Sequence, residues 1–166
     1  MAAKNPSIRS GAPRARHVSL VALPDAVVST LAGLYDVLNG ATSMGVLSEA
    51  PFDVQIVGEA AGPIGLASGV PMQVQRAVRD VEASDIVIVP SVLLREGRWV
   101  KGRYPTLVSW LARMHAQGAL LCSACSGIFL IAETGLFDGH DATVHFVYAK
   151  AFASVHPKVV VHPERV

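Results

Sequence analysis

The chain has 166 residues, 51% of them hydrophobic and 16% charged, with a formal net charge of +1. That length fits one domain with a proper core, and the apolar balance is that of many fully buried strands, as in a parallel sheet covered on both faces. Two cysteines are too few for a disulfide framework, which excludes the small disulfide-stapled class and points to a reducing cytoplasm.

Residues 1–16 hold Lys4, Arg9, Arg14 and Arg16 and no acid, leaving ten basic residues against thirteen acidic ones in the rest. With Pro6, Pro13 and no apolar run, this segment reads as a disordered basic arm without the hydrophobic region of a secretory signal. Nothing aromatic or structured backs its charge for nucleic-acid binding. Residues 17–166 read as one domain.

His17 to Leu23 is β-rich and runs into Pro24-Asp25, a helix start with Asp25 as N-cap. Val27, Val28, Leu31, Leu34, Tyr35 and Leu38 then recur at helical spacing until Asn39-Gly40. A second strand covers Phe52 to Gly58. The Gly- and Pro-rich stretch after it reads as loop with room for a short hairpin. Asp85 to Ser91 is a continuous apolar run, fitting a strand buried on both faces. From Tyr104 to Gln117, Leu107, Trp110, Leu111 and Met114 fall at i, i+3, i+4 and i+7, with Gly118 as the stop. The segment GALLCSACSGIFLIAETGLFDG follows, then DATVHF, a helical AKAFASV and a strand-like KVVVHP. Strand and helix alternate with short connections, so the fold class is α/β: a doubly wound, mostly parallel sheet sandwiched by helices, with its ligand site at the C-terminal strand ends.

The segment from Gly118 to Gly139 holds both cysteines. Ser123, Ser126, Gly127 and Glu133 interrupt it too often for a membrane span, which needs about 20 continuous apolar residues. It parses as strand GALLCSA, a sharp turn at Cys125 and helix GIFLIAETG. In such an elbow the neighbours of the central residue must be small, and here they are Ser123, Ser126 and Gly127. The Cys125 thiol would project over the helix N-terminus, where exposed N–H groups favour a thiolate. Cys122, inside the strand, should face the core as a small hydrophobe. No histidine spacing makes a metal site, and no cofactor is implied. Trp99 and Trp110 read as packing residues.

The segment SACSGIFLIAETGLFDGHDATVHF resembles the ThiJ/PfpI superfamily, with its class I glutamine-amidotransferase-like (flavodoxin-like) fold. More closely, it resembles the amidase-like N-terminal domain of AraC-type transcriptional regulators. The family pattern is an elbow Cys, Gly two residues on, an apolar helix, Ala-x-x-Gly-Leu-Leu-Asp-Gly, and Ala-Thr-Thr-His-Trp. The match runs through Cys125, Gly127, Ala132, Gly135, Leu136, Asp138, Gly139, Ala142, Thr143 and His145; Phe137, Val144 and Phe146 depart from it. LAGLYDVL (Leu31 to Leu38) and DIVIVPS resemble the family's first-helix and Pro-Gly strand motifs.

The resemblance implies a small-molecule pocket above Cys125, with His145 nearby and Thr30, Ser91, Ser126 and Gly127 as ligand-binding positions. Two of these positions break the enzyme pattern. Thr30 stands where family enzymes have an acid, and a hydroxyl cannot serve as a base for the thiol near neutral pH. Asp25 is the substitute base to weigh against its N-cap role. Ser91 replaces a glycine of the loop that lends N–H groups to the cysteine site, which undercuts an oxyanion hole there. The family fold also continues past the position of Val166 with a strand and a final helix, so the sheet is expected to lack its last elements: either the chain is a truncated form or another chain completes the sheet edge, and an open apolar edge would favour self-association.

The reading favoured by the resemblance is a ligand-sensing regulator domain, cytoplasmic and homodimeric, with no membrane contact and no direct nucleic-acid binding by this chain alone. The alternatives are a cysteine-dependent hydrolase or hydratase acting on a small carbonyl or nitrogen compound, with Cys125 and His145 catalytic, and a truncated inactive paralogue.

Overall fold

A computed structural model describes residues 14–47 and 49–165. Four apolar runs assemble into the heart of a parallel sheet: β1 (Arg16–Val21), β2 (Phe52–Gly58), β6 (Ile86–Val89) and β7 (Leu120–Ser123). With β5 (Arg76–Ala77) the order is β5-β2-β1-β6-β7, every neighbouring pair parallel. Val18, Leu20, Val21, Val57, Val87 and Val89 are fully buried, because both faces of the central strands are covered.

Helices flank the sheet. α1 (Val28–Ser43) packs on β1 and β2, while α2 (Pro105–Ala116) packs on β7 and on α3 (Ile128–Ala132). The Gly- and Pro-rich segment closes into an antiparallel hairpin of β3 (Gly62–Gly65) and β4 (Pro71–Val74). After α3, β8 (Asp141–Ala142) and β9 (Val160–Val161) form a separate parallel pair, joined through α4 (Ala149–Val155). β7 is therefore an edge of the main sheet, and Leu120 on it is 59% exposed. No helix of the described residues is long and apolar enough to cross a membrane.

An aromatic cluster anchors the helices. Fully buried Phe129 of α3 meets the Phe152 ring edge-on at 5.0 Å and the Trp99 ring at 5.8 Å. His156 is buried beside Phe152, and desolvation first, then the Lys101 charge, pushes its pKa down to about 4. Its ring packs as a neutral group.

Three local expectations need correction. β1 begins at Arg16 and Arg14 pairs with Asp85 at 2.9 Å, so the end of the basic arm is tied to the sheet; residues 1–13 lie outside the described residues. Gly40 does not stop α1, which runs on to Ser43 and gives way at Gly45, where φ reaches 69°. Asp25 is not an N-cap: Val27 holds that position without a side-chain cap. The Asp25 carboxylate is instead 1% exposed and accepts hydrogen bonds from Tyr104 Oη at 2.8 Å, Arg103 Nη1 at 2.5 Å and Arg95 Nε at 3.4 Å. Burial and this carboxylate push the Tyr104 phenol well above its ordinary pKa, so it stays a donor.

That node ties the end of β1 to the loop before α2. Asp25→Ala leaves a buried phenol and a half-buried guanidinium unpaired, and should lower stability by about 3–5 kcal/mol. Lys158→Ala removes a solvent-exposed pair with Asp138 and should cost less than about 1 kcal/mol. Urea midpoints of the two variants check the contrast.

Candidate functional site

The end of β7 delivers the chain into a turn made possible by close backbone contact. Ala124 N–H donates to the Val89 carbonyl at 2.9 Å, carrying the β6 pairing one residue past the strand. Cys125 then takes φ of 46°, the left-handed region, and residues Cys125–Gly127 form a 3-10 turn that leads into α3. Gly127 lies against the carbonyls of Val89 and Pro90, where a β-carbon would come within 2.5 Å of both oxygens. Only glycine fits.

Hydroxyl groups sew the neighbouring loop onto this elbow. Ser126 Oγ donates to the Val92 carbonyl at 2.7 Å and accepts from the Val92 N–H at 2.9 Å. Ser91 Oγ donates to the Ala124 carbonyl at 3.3 Å, and the Ser91 carbonyl accepts from the Val27 N–H at 2.8 Å. Thr30 Oγ1 donates back to the Val27 carbonyl at 2.8 Å inside the first turn of α1.

A cleft of about 530 Å³ opens beside the elbow, toward the segment that follows β8. Ile128, Phe137, Val144 and Phe146 give it apolar walls, and Cys125, Thr143 and His145 supply polar groups. Cys125 is exposed, and among the described residues no side chain hydrogen-bonds its sulfur. His145 stacks on Phe146 at 4.5 Å, and its Nδ1 accepts the Val147 N–H at 3.3 Å. A neutral ring accepting at Nδ1 carries its proton on Nε2, so His145 offers a donor. The rim holds Asp141, whose carboxyl is kept below the usual range by its bond from His162 and then by Arg165. Cys122 is half-buried in β7 rather than enclosed in the core, and desolvation raises its thiol pKa.

Of the residues singled out from sequence, Cys125 and His145 line one cleft. Thr30, Ser91, Ser126 and Gly127 do not line it; their contacts hold the elbow and its loop together. The cleft walls were missed. Yet the sequence carried a signal for them, because Phe137, Val144 and Phe146, the three departures from the family pattern, all face this cleft. Among the described residues, no group of three His, Cys, Asp or Glu side chains is placed to hold a metal ion.

Residues 27–164 match the model of the DJ-1/PfpI family. The chain belongs to that family. A curated relative is the HTH-type transcriptional regulator CdhR of Pseudomonas aeruginosa, 27% identical over 103 residues, which is 62% of this chain and 30% of that protein. The chain thus matches less than a third of the regulator's length. Among solved structures, an AraC family transcriptional regulator from Pseudomonas putida superposes with a TM-score of 0.70 at 17% identity, covering 89% of this chain and 76% of that one. Drosophila melanogaster DJ-1beta gives 0.73 at 15% identity, covering 92% and 76%. At these identities the structural likeness establishes the DJ-1/PfpI fold alone.

Gly127→Ala tests the elbow. The added β-carbon has backbone on both sides and no flexible side chain to push aside, so the variant should lose about 3 kcal/mol or more. Its melting temperature reads the loss, and the accompanying shift of the turn should alter the rate of Cys125 alkylation by iodoacetamide.

Proposed function

We propose that this DJ-1/PfpI chain is the ligand-sensing domain of an AraC-type transcriptional regulator, and that a small molecule occupies the cleft beside Cys125. The observation that carries the reading is the way the hydrogen bonds around the elbow are spent. The Ser126 hydroxyl occupies the Val92 N–H, and Thr30, standing where an acid would be needed, bonds its own backbone. Asp25 is committed to Tyr104, Arg103 and Arg95 and does not line the cleft, so it is no replacement base. What is left is an accessible thiol, an imidazole donor and apolar walls, a set suited to binding. The likeness to CdhR and to the Pseudomonas putida regulator supports the same reading.

A cysteine-dependent hydrolase or hydratase is the second reading, favoured by Cys125 and His145 lining one cleft. Thermal-shift screening of a panel of small carbonyl and nitrogen compounds separates the two. A sensor should be stabilised by at least one compound in both the wild type and Cys125→Ser, with the compound recovered unchanged, and Phe137→Trp should abolish the shift by filling the cleft. Conversion of the compound that stops in Cys125→Ser would sink the sensor reading in favour of the enzyme.

In this proposal the domain works as a homodimer, with a second copy on α1. That helix has 16 residues, yet among its described side chains only Leu31 is fully buried. Val37 is 77% exposed and Met44, just past its end, 76%. Gly33 and Gly40 lie on the same face, where another helix could approach closely. Light scattering should find a dimer for the wild type and a monomer for Val37→Asp combined with Met44→Asp. A monomeric wild type at high micromolar concentration rules this surface out.

A further inference from the structure

A second recess lies away from the elbow, where the first half of α2 crosses the turn after β5. Its volume is about 330 Å³, and Val78, Arg79, Thr106, Ser109, Trp110 and Arg113 line it. It shares no residue with the Cys125 cleft. Its accessible polar groups can all donate: two guanidinium groups and two hydroxyls. No carboxylate lines it.

Each donor is placed differently. Arg113 Nη2 donates to the carbonyls of Val78 and Val81, both at 3.3 Å, which fixes the guanidinium while its Nη1 and Nε keep their protons for another acceptor. Arg79 has Asp80 beside it at 3.8 Å, an exposed pair that leaves most of its charge available. Thr106 and Ser109 stand one helical turn apart on the same side of α2. Trp110 lines the recess and is 3% exposed, and its Nε1 is itself buried, without a hydrogen-bond partner among the described residues.

We propose that this recess binds the oxyanion of a small molecule, a phosphate or carboxylate group, with Arg79 and Arg113 supplying charge and the Thr106 and Ser109 hydroxyls fixing orientation. Doubly charged oxyanions match two guanidiniums, because each can accept paired hydrogen bonds from a planar fork.

The test uses the full chain, labelled with ¹⁵N and titrated with inorganic phosphate at constant ionic strength, with succinate as the carboxylate arm. The Trp110 indole signal, assigned by Trp110→Phe, and the amides of residues 106–110 should shift saturably with at least one of the two anions. The Trp99 indole already donates to Glu133 and should stay still. Arg79→Ala changes an exposed side chain, so it should remain folded and weaken binding roughly tenfold, one lost charged hydrogen bond. Arg113→Lys keeps the charge without the fork and should weaken it as well. The proposal fails if neither anion gives a saturable shift, if chloride reproduces it, or if Arg79→Ala binds as tightly as the wild type. It also fails if a short DNA duplex moves these signals while both small anions do not, since the recess would then belong to a polynucleotide surface.

Discussion

A β-carbon on residue 127 would come within 2.5 Å of two carbonyl oxygens at the end of β6, and the architecture around the cysteine depends on its absence. Because the backbone can come that close, α3 begins directly over the sheet rather than beside it. Phe129 then reaches the Trp99 and Phe152 rings and seals that side of the core. The same approach leaves residue 125 no room to continue as strand, so the chain turns through the left-handed region and the side chain faces outward. Packing and site geometry share one cause.

A second constraint acts on the loop between β6 and α2. Asp25 brings in Arg95, Arg103 and Tyr104, while Ser126 and Ser91 fasten residues 91 and 92 to the elbow. The carboxylate lies at the C-terminal end of β1, where open α/β sheets usually place ligand-binding groups. Here it is used for holding loops. A buried charge with three donors is expensive to break, and the loop beside the thiol is correspondingly fixed.

Much of this was legible in the sequence, and the reasons for the rest are physical. β2, β6 and α2 could be read because their apolar runs and 3.6-residue spacing depend on local pattern alone. The elbow was legible through its small residues, and the family through the motif from Cys125 to His145. Asp25 was misread because an acid after Pro24 has the local signature of a cap, while its partners lie 70 or more residues away. Gly40 was misread because glycine stops a helix only where the backbone adopts positive φ, a choice made by packing. The roles of Ser91 and Ser126 depend on which carbonyl each hydroxyl meets, and no spacing encodes that.

Residue 125 also sets stability against chemistry. For an L-residue the left-handed region costs about 1–2 kcal/mol, a penalty that glycine escapes. The turn itself would be better served by glycine, which would hold the same backbone and present nothing to the cleft. By carrying a sulfur there, the fold accepts a standing strain at an exposed residue of the cleft.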